Sequence, residues 1–200
     1  MTADAGACAP RAAPQGVPAT AGAPCALSAR YDRGVRAAPP RYAALPFPAY
    51  AFLPGRDPHP TRDPRGHSYG ADEAAPAYLS PERWRANEEY LHGVDLYNHG
   101  YLWEAHEAWE GLWHAARTDA LQSEFLQGLI QCAAASLKIA MGQPDGLAKL
   151  AERGTGRLDV VARAGREFMG LDVARFVAEF RAFAASRPAS ADARPRIELG

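Results

Sequence analysis

The sequence predicts an all-α protein: a compact multihelical bundle of about five to six helices, preceded by an extended proline-rich strap and flanked by disordered termini. Three observations carry that expectation. Apolar residues recur at spacings of three, four and seven through residues 80–185, the period of a helix with one buried face. Strand-like alternation is absent, and the breaks between periodic runs are short and rich in Gly, Pro, Asn and Asp. The expected organisation is a disordered Ala/Pro-rich tail over 1–44, a strap packing on the bundle over 45–79, a helical domain over 80–185 and a loose tail over 186–200.

Thirteen of the seventeen prolines precede Ser80, and residues 1–44 show no apolar periodicity, so that segment cannot bury enough surface to offset its ordering entropy. In Leu45-Pro-Phe-Pro-Ala-Tyr-Ala-Phe-Leu53 prolines alternate with large apolar residues, which suits an extended segment laid across a hydrophobic surface. Residues 54–70 then repeat Arg56-Asp57-Pro58 as Arg62-Asp63-Pro64, and each residue before proline is pushed toward extended geometry. A backbone stiffened in this way presents His59, Asp63 and His67 at low further entropic cost, as a loop covering a pocket requires; the alternative is a turn-rich linker whose polar groups bond to their own backbone. Gly66-His67-Ser68 is too short to name a nucleophile and its base, because a third member is not identified.

Ser80-Pro81-Glu82 is a helix start, and the helix is expected to run to Asn98 with Trp84, Tyr90, Leu91, Val94 and Tyr97 inward. Asn98-His99-Gly100 stops it. A second helix covers about Tyr101 to Ala116. Thr118 or Asp119 caps a third, central helix to Met141, apolar on more than one side. After Gly142-Gln143-Pro144 a short fourth helix reaches Arg153, Gly154 and Gly156 form a joint, and another helix spans Arg157 to Met169. Asp172 opens the last one, with Val173, Phe176, Val177, Phe180 and Phe183 buried.

A formal net charge of −1 offers no electrostatic case for nucleic acid or an anionic membrane as partner. The amino end lacks the basic and apolar regions of a signal peptide, and Gln127, Gln131 and Lys138 interrupt the most apolar helix. The expected location is cytoplasmic. Three scattered cysteines make neither a disulfide framework nor a metal clip.

The chemistry concentrates in residues 95–117, which hold three tryptophans, three glutamates and three histidines. At about 100° per residue, Trp113, Leu102, Trp109, Ala105, Leu112 and Tyr101 form a core arc on one side of His106. Glu110, Trp103, His114 and Glu107 lie on the other. A tryptophan within a polar arc implies that this face is covered, and covered carboxylates need partners. Glu124, Gln127, Gln131 and Lys138 share a polar stripe on the central helix, and two such stripes facing each other would enclose a cavity roofed by the strap.

His106-Glu107-x-x-Glu110 sets an imidazole and a carboxylate at i and i+4 with a second carboxylate between, the layout by which a helix supplies two metal ligands and a general base. A divalent metal ion held by His106 and Glu110, with His67 or His59 as third ligand, is one expectation. A second makes His106 a general acid or base flanked by Glu107 and Glu110. The third treats the trio as a structural network with Gln131 and Lys138.

The motif Leu96-Tyr-Asn-His-Gly-Tyr-Leu-Trp-Glu-Ala-His-Glu-Ala-Trp-Glu-Gly-Leu-Trp113, with Phe125-Leu-Gln-Gly-Leu-Ile-Gln131, resembles the bacterial and archaeal domain-of-unknown-function family 309 over about Tyr90 to Leu150. The resemblance implies a helical cytosolic fold and no established activity. It marks Glu104, His106, Glu107, Trp109, Glu110, Trp113, Gln127, Gly128 and Gln131 as motif positions, while residues 142–147 depart from the family pattern.

The expected function is binding of a small polar ligand in a pocket, with its hydrolysis as a further expectation. His106, Glu107 and Glu110 would be the reactive groups, with Trp103, Gln127, Gln131, His59, Asp63 and His67 as binding residues. The alternative is a non-catalytic interaction module that docks on a partner protein or pairs as a homo-oligomer.

Overall fold

The computed structural model describes residues 37–71 and 74–200, and the expectation of disorder over 1–36 lies outside them. Five α-helices follow one another among these residues: α1 (Glu88–Asn98), α2 (Leu102–Ala115), α3 (Ala120–Ala140), α4 (Asp145–Ala164) and α5 (Val173–Ala185), with 3-10 turns at Pro81–Ala86 and Ala191–Ala193. Each packs on its neighbour in sequence, as short connections dictate. A two-residue antiparallel pair, β1 (Glu167–Phe168) and β2 (Leu171–Asp172), closes the turn before α5. Trp109, Tyr90, Tyr97, Phe125 and Phe180 are the largest side chains fully enclosed by this arrangement. Among the described residues no helix is long and apolar enough to cross a membrane.

Side-chain caps set where the helices begin. Asn87, Asp119 and Asp172 accept the backbone N–H groups of Tyr90, Gln122 and Arg175, each at 3.0 Å. Asn87 thereby divides the first expected helix in two: its carboxamide caps α1, and the segment from Ser80 contributes only a 3-10 turn.

The joint expected at Gly154 and Gly156 does not exist, because α4 runs unbroken from Asp145 to Ala164. Gly154 is a contact rather than a hinge. A Cβ placed on it would stand 3.0 Å from the Gly128 carbonyl oxygen, and one on Gly128 would stand 3.1 Å from that of Gly154. The two backbones meet where both side chains are missing, and packing outweighs the helix-breaking preference of glycine.

The C-terminal segment differs from the expected loose tail. The Asn98 side chain exchanges two hydrogen bonds with the backbone of Ile197, at 2.8 and 2.9 Å. Arg194 donates to the carbonyls of Tyr97 and Asn98 at the end of α1, and Ile197 is fully buried. Low apolar content hid this segment because its attachment is polar and aimed at a helix terminus with orphan carbonyls. Cys132 is a free buried thiol, and burial pushes its pKa up, so it is an inert core residue.

Gly93 of α1 lies against the indole of Trp109, and a Cβ there would come within 2.3 Å of Nε1. Gly93→Ala is therefore expected to lose about 1–3 kcal/mol of stability in urea denaturation, despite alanine's better helix propensity, because the enclosed ring cannot retreat.

Candidate functional site

The site is built where the strap meets α1 and α2. Asp95, fully buried in α1, accepts hydrogen bonds from Arg41 Nε at 3.0 Å and from the backbone N–H groups of Tyr42 and Ala43 at 2.8 and 2.9 Å. Residues 38–44 are thus docked, although the sequence placed them in the tail. Phe47 stacks on Tyr101 at 5.0 Å, and the Arg41 guanidinium lies over the Phe47 ring, 4.0 Å from its centre. Farther along, the Phe52 N–H donates to Glu104 Oε1 at 2.8 Å. Phe52 and His59 pack edge-on to Trp103, at 5.2 and 5.5 Å.

Beyond Leu53 the strap leaves the extended course expected of 45–79 and follows the turn-rich alternative for residues 54–70. It folds into successive turns, in which Leu53 N–H donates to Asp57, Asp63 N–H to the His59 carbonyl and Ser68 N–H to that of Pro60. Aspartates that satisfy nearby backbone N–H groups favour such turns over an open chain. Gly66 is required there, because a Cβ would overlap the carbonyl of Pro60 at 2.1 Å.

This folded strap delivers His67 to α2. Its Nε2 donates to Glu104 Oε1 at 3.2 Å, Nδ1 lies 2.9 Å from the Ser68 hydroxyl, and Tyr50 packs against the ring at 4.7 Å. The His67 side chain is 7 % exposed and that of Glu104 5 %. Glu104 Oε2 is enclosed and has no hydrogen-bond partner among the described residues. With Nε2 protonated, His67 Nδ1 can accept from Ser68, so the three groups form a line along which a proton could move.

Glu104 and His67 line a cavity of about 550 Å³. Trp103, Glu107, Ala108 and Gly111 of α2 line it with them, as do Glu89, His92 and Leu96 of α1 and Pro48, Thr61, Ser68, Ala74 and Pro76 of the chain before the bundle. Counted around α2 from His106, Trp103, Glu107, Gly111, Glu104 and Ala108 fall at about 60, 100, 140, 160 and 200°. The covered arc is therefore centred well away from His106, and it is floored by two of the smallest residues of the helix.

His92 has an enclosed Nδ1 without a partner. Burial lowers its pKa, the Arg41 charge adds to the effect, and Asp95 and Glu88 oppose it.

The sequence-derived residues divide accordingly. Trp103, Glu107 and His67 line the cavity, and His59 packs on its tryptophan wall. His106 and Glu110 do not line it. His106 Nδ1 lies 3.2 Å from Glu107 Oε1 and 3.9 Å from Glu110 Oε2, with side-chain exposures of 29, 45 and 42 % for the trio. Their ligand atoms lie within 4.8 Å of one another, so these three could share an ion, but neither His67 nor His59 joins them as a third-element ligand. Asp63 pairs with Arg65 on the outer side of the strap, which holds its carboxyl down at about 2.

The two polar stripes do not face each other. α3 turns its stripe toward α4, where Glu124 pairs with Arg157 at 2.9 Å and Gln131 lines a separate groove. Lys138 donates to Gln143, and Gln127 does not line the strap cavity. The position the sequence reading missed is Glu104, which stood only as a motif residue. Its signal was a carboxylate followed at i+4 and i+7 by Ala108 and Gly111, an acidic group facing space. His92 carried no signal beyond its residue type.

Residues 90–150 match a domain of unknown function, DUF309. No curated protein and no solved structure matches the chain. The matched segment contains the α2 face of the cavity, and the strap lies outside it.

Exposed pairs such as those of His106 contribute little, so His106→Ala combined with Glu110→Gln is expected to change unfolding free energy by less than about 1 kcal/mol. A calorimetric comparison with the unaltered protein checks this. For His92 the folded-state pKa lies below the unfolded value of 6.5. Its contribution is present above that value and is lost as pH falls toward the folded one, since the unfolded chain then binds the extra proton. Melting temperature should fall on acidification below about pH 6.5, and His92→Gln should flatten that fall.

Proposed function

We propose that the cavity between the strap and helices α1 and α2 is a binding site for a small polar molecule. The observation that carries the reading is Glu104 Oε2: a carboxylate oxygen inside the fold, in a residue lining a cavity of about 550 Å³, with no donor opposite it. A buried polar atom without a partner costs about 1–3 kcal/mol, and a bound ligand or water is one of the ways a native fold offsets such a cost. The volume lies within the range of small-molecule sites, which combine an apolar wall with a few placed polar groups. Trp103, Pro48 and Leu96 supply the wall, while Glu104, His67, His92 and Ser68 supply the polar groups.

If the bound molecule is also hydrolysed, His67 is the imidazole in position to move a proton, held by Glu104 on one side and Ser68 on the other. His106, within the helix that carries Glu104, faces Glu107 and Glu110 instead.

Titration of the labelled full chain with a set of small polar compounds tests the reading. Amide and indole shifts should cluster at Trp103, His67 and His92 for at least one compound. Filling the cavity with Ala108→Phe, or with the smaller Ala108→Leu if the first perturbs folding, should abolish them. A set of several hundred compounds that moves none of these signals, or shifts that persist in both filled variants, would sink it.

A further inference from the structure

We infer that Ser68 is the nucleophile of a hydrolytic site in this cavity, activated by His67 and oriented through Glu104, with a small neutral carboxylic ester as substrate and water as co-reactant. The inference rests on the binding reading above and adds the reaction class and the attacking atom. Three observations point to it.

The first is the line of contacts. As a sequence, Gly66-His67-Ser68 has no third member, and the fold supplies one from α2, 37 residues beyond His67. Ser68 Oγ lies 2.9 Å from His67 Nδ1, and Nε2 of the same ring lies 3.2 Å from Glu104 Oε1. Both separations are those of a nucleophile with its base, and of a base with the group that orients it. With the proton on Nε2 and donated to the carboxylate, Nδ1 turns its lone pair to the hydroxyl. Either nitrogen of a neutral imidazole is basic when the other carries the proton, so the direction in which the ring is mounted does not alter the chemistry.

The second is that each member is held by contacts outside the line. Ser68 N–H donates to the Pro60 carbonyl, its own carbonyl accepts from Ala71 N–H, and Gly66 approaches Pro60 too closely for any side chain. Tyr50 packs against the imidazole at 4.7 Å and is itself tied by its hydroxyl to the Pro58 carbonyl. Phe52 N–H fixes Glu104 Oε1. Attack by a positioned hydroxyl requires this kind of preorganisation.

The third is the order of burial. Glu104 is buried, the His67 side chain is nearly so, and Ser68 is half-buried in the cavity wall. The residue that must meet substrate is therefore the one most open to it. Trp103, Pro48 and Leu96 give the carbon groups of an ester a surface, and among the described residues no lysine or arginine lines the cavity to hold a phosphoryl or carboxylate group.

In the reaction, Ser68 Oγ bonds to the ester carbonyl carbon as its proton passes to His67 Nδ1. The tetrahedral intermediate collapses, the bond to the alcohol oxygen breaks, and His67 returns the proton to that oxygen. Water then attacks the acyl-serine, giving its proton to Nδ1, and the acid departs as Ser68 recovers its hydrogen. Ester and water become acid and alcohol, and the protein is unchanged. Glu104 is a positioning residue that holds the tautomer and stabilises the transient imidazolium.

Diisopropyl fluorophosphate and p-nitrophenyl acetate test this on the full chain, because their leaving groups depart readily and the rates then report on the nucleophile and its base. Peptide mass spectrometry should find the diisopropylphosphoryl group on Ser68, with fluoride released, and prior unfolding in urea should abolish the adduct. The acetate should turn over, and Ser68→Ala should remove both reactions. His67→Gln should slow the labelling about a hundredfold or more. For the unaltered chain the labelling rate should follow one ionisation and level off on the alkaline side, where attack by hydroxide would keep rising. Glu104→Gln, which retains an acceptor for Phe52 N–H, should move the onset of that plateau to lower pH by removing the charge that favours the protonated ring. A loosened strap alone would not shift it in that direction.

Labelling confined to other residues, or labelling of Ser68 that persists in urea or at full rate in His67→Gln, overturns the assignment. The results on the unaltered chain, folded and unfolded, decide it without any variant having to fold. If Ser68 gains no adduct although a compound moves the Trp103 and His67 signals, the reaction class fails and the binding site stands. If neither an adduct nor such a shift is seen, the underlying reading fails with it.

Discussion

Two carboxylates enclosed at the surface of the bundle, Asp95 on α1 and Glu104 on α2, hold the strap in place, and most of the chemistry described above follows from them. A buried carboxylate must find donors, and here the donors are N–H groups of a segment that has no regular structure of its own: Tyr42 and Ala43 for one, Phe52 for the other. Each side thus supplies what the other lacks. The strap has backbone donors with no ladder to join, and the helices have charges with no counterion beside them except Arg41 and His67. The difference between the two anchors matters. Asp95 has both oxygens occupied, whereas Glu104 has one to spare.

The helices were legible because their signals are local. Apolar spacing along α1, α3 and α5 gave the buried faces, and caps such as Asp119 and Asp172 gave the starts. What escaped was decided by contacts between elements. Gly154 reads as a break in one dimension and acts as a close approach in three, because Gly128 lies opposite it. Residues 186–200 read as loose because composition reports apolar burial, while this segment is attached through Asn98, Arg194 and Tyr42.

The site was half legible for the same reason. A strap covering an acidic and aromatic face of α2 could be inferred from Trp103 standing among polar residues. Which 140° of that face it covers depends on where the preceding helix places the strap, and that turned on Asp95, a residue whose role no spacing rule reveals. The centre shifted by about half a turn of helix, from His106 to Glu104. Electrostatically the consequence is large: the exposed trio is screened by solvent, whereas the enclosed carboxylate acts in a medium of lower effective dielectric.

The attachment of the strap also spans the sequence. Tyr42 receives a hydrogen bond from the Leu199 N–H, 157 residues away, and Asp95 stands more than fifty residues from its partners. Contacts so distant along the chain demand that α1 and the final segment both be in position before the strap can settle, since loop closure must precede any gain. Where such contacts form only after the transition state, weakened strap anchors hasten unfolding far more than they slow refolding, and the lifetime of the covered cavity can then change while its rate of formation does not.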